Sequence, residues 1–247
     1  MEDCRMKIKE KLMMDKQGLL DNGAITIVAF GDSVTHGAVA ANEISYETVY
    51  WNRLRVMLNS VRDYVPVNVI NSGIGGDWAM NATQRFERQA LKYEPDLVII
   101  CFGLNDVNRP KDEYLTALKE MFGKCIESGT DVIFLTPNML NTYVAEGTEA
   151  RHLEYAKKTA DIQNNGVMDD YIYGAKAIAE SMGVPVCDCY SKWKELAKTQ
   201  DTTMLLANRI NHPTKEMHAL FAEGLFEIIM GDGAHSENNS ESTMFRE

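Results

Sequence analysis

The sequence predicts an α/β protein: a three-layer α/β/α sandwich with a central five-stranded parallel sheet, flavodoxin-like in type. Three observations carry this. Five short, apolar, β-branched segments recur along the chain, patterns of helical spacing lie between them, and 247 residues suffice for one substantial core. A crossover between parallel strands packs back onto the sheet in one hand, so alternation of this kind covers both faces of an open sheet.

The five strand-like segments are residues 25–30, 67–70, 97–102, 132–135 and 184–187. Between the first two, Tyr50, Leu54, Met57, Leu58 and Val61 recur at helical spacing. Leu115, Leu118, Phe122, Cys125 and Ile126 do the same between the third and fourth. Each set reads as one face of a crossover helix. Leu220, Phe221, Leu225 and Ile228 mark a closing helix, entered through Asn211-His212-Pro213-Thr214. Residues 1–20 are expected to form a helical extension and 21–230 the main domain. The stretch 231–247 is polar and without apolar periodicity, so it is expected to be a disordered tail. Residues 138–170 form a long connection with a helical piece near 151–162 and a break at Asn164-Asn165-Gly166, as suits a lid or substrate-binding insertion.

Charge and composition narrow the function classes. A formal net charge of −11 with no local run of Lys or Arg argues against nucleic acid and anionic membranes as partners. The apolar runs are too short to cross a bilayer. The first ten residues mix charges and lack the apolar core of a secretory signal, which leads to an expected cytoplasmic location. Cys4, Cys101, Cys125, Cys187 and Cys189 read as free thiols. The Cys187-x-Cys189 pair has no second Cys/His pair at ligand spacing, so no metal is implied.

In such a sheet, ligands bind beyond the carboxyl ends of the strands. The loop after the first strand reads Gly31-Asp32-Ser33-Val34-Thr35-His36-Gly37, a tight turn that displays a serine at its tip. A helix-capping role for that serine weighs about equally on this segment alone. The loop after the second strand reads Asn71-Ser72-Gly73-Ile74-Gly75-Gly76-Asp77, where glycines let the backbone and its amides approach a ligand closely. It lacks the P-loop lysine and the dinucleotide pattern, so no nucleotide cofactor is expected. After the third strand, Gly103-Leu104-Asn105-Asp106 supplies a carboxamide and a carboxylate. Near the C-terminus, Asn208-Arg209-Ile210-Asn211-His212-Pro213 sets a histidine just before the closing helix, where a loop-borne base would sit. The bland readings are a local Asn-Asp turn at Asn105 and a structural histidine at His212.

Together, Gly-Asp-Ser-x-Thr-x-Gly at Ser33, Asn-x-Gly-x-x-Gly-Asp ending at Gly76 and Asp77, Gly-x-Asn-Asp at Asn105 and His-Pro at His212 resemble the blocks of the SGNH (GDSL-like) hydrolases. The resemblance spans residues 25 to about 229. It implies Ser33 as nucleophile and His212 as general base, with an oxyanion hole made of the Ser33 and Gly76 amides and the Asn105 side chain. No cofactor is implied. Asp32 and Asp77 are expected to brace their turns through backbone amides. His36 is at least as well explained by a solvent-facing position as by an acyl pocket.

One position departs from the family pattern. The aspartate usual three residues before the histidine is replaced by Arg209. The expected arrangement is therefore a Ser-His dyad, or a triad completed by a carbonyl from Asn208 or from the main chain, since an amide oxygen can also accept the Nδ1 proton. The resemblance implies hydrolysis of a small-molecule acyl ester, with an acetyl group on a carbohydrate preferred. A lysophospholipase or thioesterase is the enzymatic alternative, supported if residues 138–170 build a long apolar groove. A non-catalytic binding module and an acyltransferase on the same frame complete the alternatives.

Overall fold

Each predicted strand is present, and each lies parallel to its neighbours. The computed structural model describes residues 6–40, 43–63 and 65–231. The elements in chain order are α1 (Lys7–Leu12), α2 (Lys16–Asn22), β1 (Ile25–Gly31), α3 (Ser33–His36), α4 (Tyr50–Asn59), β2 (Val67–Gly73), α5 (Ala79–Gln89), β3 (Leu97–Cys101) and α6 (Lys111–Ser128). There follow β4 (Asp131–Leu135), α7 (Leu153–Asn164), α8 (Val167–Ser181), β5 (Val186–Cys187), α9 (Cys189–Leu196) and α10 (His218–Met230). The sheet order is β2-β1-β3-β4-β5.

Alternation along the strands sorts side chains into two layers. On one face, Val28, Phe30, Val98, Ile100 and Phe134 are buried with Phe86 of α5, Phe122 of α6 and Ile172 of α8. On the other, Ile25, Ile27, Ala29, Leu97, Ile99 and Ile133 are buried with Ile8 of α1, Leu54 of α4 and Phe221 of α10. Removing one such large side chain from water stabilises by roughly 1.5–3 kcal/mol, so both faces hold the sheet. The crossover α6 shows how sequence sets an element. Pro110 precedes it, Asp112 and Glu113 lie in its first turn, and Tyr114, Ala117, Leu118, Met121, Phe122 and Cys125 form its buried stripe. It ends at Gly129 in the left-handed region.

Differences from the expected pattern have local causes. The fifth strand is only Val186–Cys187, because its register with β4 is limited to Phe134↔Val186 and Leu135↔Cys187. Pro185 ahead of it has no N–H to give, although its carbonyl accepts from Phe134 N. The connection after β4 resolves into α7 and α8, separated by Gly166 at φ 75°. Helix α5, unmarked by apolar periodicity, buries only Ala79, Ala82 and Phe86 among apolar side chains, together with Arg85. Ile8 and Leu12 of α1 are fully buried, and the Ile8 amide donates to Asp131 Oδ2 at 2.8 Å, which docks the N-terminal helices to the core. The expected tail from 232 onwards and Cys4 lie outside the described residues. Cys101, Cys125, Cys187 and Cys189 are free and buried. No helix among the described residues is long and apolar enough to cross a membrane.

With β1 between β2 and β3, the strand order reverses direction at β1 and β3, and the loops leaving their carboxyl ends flank one crevice. Those loops carry Ser33 and Asn105.

Candidate active site

The turn after β1 is built by close approach. A Cβ at Gly31 would lie 2.2 Å from Thr35 Oγ1 and 2.5 Å from the Cys101 carbonyl, so only glycine lets the chain fold back there. Asp32 then caps the turn, with its Oδ1 accepting from Val34 N at 3.0 Å. Ser33 follows, mostly buried, at the start of α3.

His212 arrives from a loop 179 residues away in sequence, and its Nε2 lies 2.9 Å from Ser33 Oγ. Its Nδ1 faces the main-chain carbonyl of Val39 at 3.2 Å. Of the two carbonyl sources left open by the sequence, the main chain therefore meets the ring. Asn208, the other possible source, is engaged elsewhere: its Oδ1 accepts the amides of Ile210, Asn211 and His212 at 3.0, 3.0 and 2.9 Å. Three donors occupy that oxygen, and its Nδ2 donates to Asn211 Oδ1 at 2.9 Å. Asn208 shapes the loop that delivers the histidine, while Arg209 in the middle of that turn adopts φ 60°. The Arg209 guanidinium turns to the carbonyls of Met204 and Leu206, at 2.9 and 2.8 Å. Burial holds the His212 imidazole below its ordinary pKa of 6.5, and the Val39 carbonyl opposes that shift.

Gly76 and Asn105 line the same cavity as Ser33 and His212. Gly76 has φ 75°, and among the described residues its amide finds no acceptor. Asn105 donates through Nδ2 to the Asp77 carbonyl at 2.9 Å, with Asp32 Oδ2 more distant at 3.4 Å, so its second N–H is weakly engaged. Asp77 takes the Trp78 amide on Oδ1 and the Arg85 guanidinium on Oδ2. Asp106 takes the Ala79 amide at 2.8 Å. Burial raises Asp32 and Asp106 to about 7, and the proximity of the other carboxylates adds to the shift.

Ser33, Gly75, Gly76, Asn105 and His212 line one cavity of about 630 Å³. Its apolar lining includes Ala38, Ala40, Ile44 and Ile210. The 138–170 insertion contributes Gly147, Glu149, Arg151, His152 and Tyr155 to the same cavity. His36 also lines it, half-buried, with Nε2 3.3 Å from Tyr46 OH in an exposed contact, and it is not part of the Ser33–His212 pair. His218 sits elsewhere, buried, its Nδ1 accepting the Tyr50 amide at 3.2 Å. Among the described residues no group of three or more His, Cys, Asp or Glu side chains is arranged to hold a metal ion.

Sequence reasoning missed Val39, since a main-chain carbonyl carries no residue signal. It expected a lid or substrate-binding insertion at residues 138–170 but not which of its residues form the cavity wall, since their charged side chains look like any solvated helix start. The arrangement as a whole pairs a hydroxyl with an imidazole beside unfilled N–H donors, the combination that acyl transfer requires.

Comparisons with known proteins place this sequence and fold among relatives. The chain is 25% identical over 185 residues to an acetylxylan esterase of Geobacillus stearothermophilus, covering 70% of this chain and 77% of that protein. A crystal structure of an acetylxylan esterase from the same organism superposes with a TM-score of 0.64 at 24% identity, covering 84% of this chain and 94% of that one. A lipase/acylhydrolase from Enterococcus faecalis gives a TM-score of 0.64 at 23% identity, with 84% and 96% covered. Residues 29–220 match the GDSL-like Lipase/Acylhydrolase family, a span that contains Ser33, Gly76, Asn105 and His212, and the chain belongs to that family.

Proposed function

We propose that the protein is a serine esterase that removes small acyl groups, with an acetyl ester of a carbohydrate as substrate. The observation that carries this reading is the 2.9 Å approach of His212 Nε2 to Ser33 Oγ in a cavity also lined by Gly76 and Asn105. Ser33 Oγ attacks the ester carbonyl as its proton passes to His212 Nε2. The negative charge that develops on the carbonyl oxygen is met by the Ser33 and Gly76 amides and the Asn105 side chain. His212 returns the proton to the departing alcohol, and a water activated by the same nitrogen hydrolyses the acyl-enzyme. Throughout, the Val39 carbonyl accepts the Nδ1 proton and fixes the tautomer.

Two observations favour an acetyl group on a sugar. The curated relative and several structural neighbours are acetylxylan esterases. The insertion faces the cavity with Glu149, Arg151, His152 and Tyr155, hydrogen-bonding groups suited to a polyhydroxylated alcohol, and this disfavours a long acyl chain along that wall.

The test is hydrolysis of p-nitrophenyl acetate, butyrate and octanoate and of acetylated xylo-oligosaccharide, with Ser33→Ala and His212→Ala beside the wild type after each is shown to be folded. Preference for acetate, release of acetate from the oligosaccharide and loss of turnover in both variants are expected. Preference for octanoate would shift the substrate to lipid. Wild-type turnover no greater than that of Ser33→Ala would sink the esterase reading.

A further inference from the structure

We infer that Arg85, outside the catalytic cavity, is a positioning residue that holds the oxyanion-binding groups in register with Ser33. This rests on the serine-esterase reading above and extends it to a side chain on the buried face of α5.

Arg85 is an arginine with only 6% of its surface exposed, on a helix that has few apolar residues to anchor it. Its guanidinium reaches three separate pieces of the site. Nε donates to Asp77 Oδ2 at 2.8 Å, and Nη2 lies 2.8 Å from the same oxygen. Nη1 donates to the Ser72 carbonyl at 2.8 Å on β2, and Nη2 donates to the Gly31 carbonyl at 3.1 Å at the end of β1. Nη1 also donates to Gln89 Oε1 at 3.0 Å. The carbon of the guanidinium sits 4.2 Å from the centre of the Phe30 ring, which fixes its plane from below.

Two of these contacts lead to a reacting group within a residue or two. Gly31 is two residues before Ser33. Asp77 follows Gly76 directly, and its carbonyl accepts from Asn105 Nδ2 at 2.9 Å. The three oxyanion donors therefore come from the loops after three strands, and one planar fork ties two of those strands and the side chain of Asp77, whose main-chain carbonyl anchors the third donor, Asn105. A lysine could neutralise Asp77, but as a point charge it cannot span both carbonyls and the carboxylate in one plane. Displacements of about 1 Å at a reacting centre cost on the order of 100-fold in rate, so such a clamp affects chemistry more than ground-state binding.

The experiment compares wild type, Arg85→Lys and Arg85→Gln, with Arg88→Gln as a control on the exposed side of the same helix. Three quantities are read: Tm, kcat and KM on p-nitrophenyl acetate, and Kd for a phenylboronic acid. The boronate is the probe because its tetrahedral adduct on Ser33 places an oxygen in the oxyanion hole. For Arg85→Lys, which retains the charge and supports folding, we expect kcat to fall about 10- to 100-fold with KM within about twofold. The boronate Kd should rise in parallel, and Arg88→Gln should match wild type. A folded Arg85→Lys with wild-type kcat and boronate affinity overturns the proposal, whatever happens to Arg85→Gln. A loss confined to Tm does the same. If wild type binds boronate at Ser33 but hydrolyses no ester, the esterase reading fails while Arg85 is still judged by boronate affinity. A wild type that does neither overturns both.

Discussion

His212 Nδ1 faces the carbonyl of Val39 at 3.2 Å, the place where relatives with an aspartate three residues before the histidine would be expected to present a carboxylate. A neutral carbonyl selects the same tautomer as a carboxylate, since either accepts the Nδ1 proton and leaves Nε2 free to accept from Ser33. It stabilises the imidazolium less, so it offsets only part of the cost of burying that cation.

A pH profile follows from this. His212 serves as base in its neutral form, and burial holds its pKa below 6.5. The acid limb of kcat/KM should therefore turn below pH 6.5, leaving the enzyme active in mildly acidic buffer. The check is kcat/KM on p-nitrophenyl acetate from about pH 4 to 9. A midpoint above 7 would mean that a negative partner holds the imidazolium after all.

Since the partner of Nδ1 is a peptide carbonyl, the Val39 side chain is expendable for chemistry and its backbone is not. Val39→Ala should keep kcat within about threefold, with about 1 kcal/mol of stability lost from the trimmed buried side chain. Val39→Pro removes the N–H that donates to the Glu43 carbonyl at 2.9 Å and displaces the loop that presents the carbonyl. It should lower kcat at least tenfold on the scale of misplaced catalytic groups. Equal activities in the two variants would exclude the main-chain role.

Asn208 separates loop-shaping from ring-orienting in a different way. Asn208→Ala releases three backbone amides, and we expect a fall in both Tm and kcat, with about 1–3 kcal/mol lost. Asn208→Asp keeps the accepting oxygen and should recover most of both. Thermal unfolding and steady-state kinetics on the pair decide it. A variant of either kind that lost activity and shifted the acid limb while leaving Tm untouched would point back to a direct contact with the ring.

How far the sequence could be read depends on where each signal resides. The five strands declare themselves as short apolar, β-branched runs, and the crossovers α4 and α6 through apolar side chains at a period of 3.6. Helix α5 hides because its buried face includes Arg85, which apolar periodicity counts as a surface residue. Ser33, Gly76, Asn105 and His212 stand in short blocks whose order is visible, and the parallel sheet brings all four to the lining of one cavity. What orients His212 could be narrowed only to a carbonyl, because Val39 acts through an atom that every residue possesses. The insertion could be located but its chemistry could not, since which of its polar residues face inward depends on how α7 docks.

The buried Asp32 should make stability depend on pH. Its pKa rises from 3.8 to about 7 in the folded state, chiefly because burial disfavours the anion. Between those values the native state binds more protons than the unfolded chain, so this carboxyl's contribution to stability declines as pH rises from 3.8 through 7. His218, lowered to about 3 by burial, works in the opposite direction over pH 3 to 6.5, where the unfolded chain binds more protons. Asp32→Asn keeps the acceptor for Val34 N and removes the titration. Its urea midpoint relative to wild type should improve as pH is raised from about 5 to 8. A constant difference across that range would show that Asp32 does not titrate there.

The wall from the insertion should govern the alcohol portion of the substrate. Arg151 lines the cavity while its side chain remains 62% exposed, and Nε donates to Glu149 Oε2 at 2.8 Å. An ion pair this exposed is worth about 0–1 kcal/mol, so a bound sugar can replace Glu149 as the acceptor at little cost. Tyr155 is more buried on the same wall and offers both a ring face and a hydroxyl. Nitrophenol and a xylosyl unit differ in every hydrogen bond this wall can make, whereas the acyl side and the Ser33–His212 pair are common to both esters. Arg151→Ala and Tyr155→Ala should thus lower kcat/KM on acetylated xylo-oligosaccharide relative to p-nitrophenyl acetate, by about 10- to 100-fold for a lost hydrogen bond to the charged Arg151 and about twofold to tenfold for a lost neutral one to Tyr155. Equal losses on both substrates would mean that the insertion supports the cavity without reading the sugar.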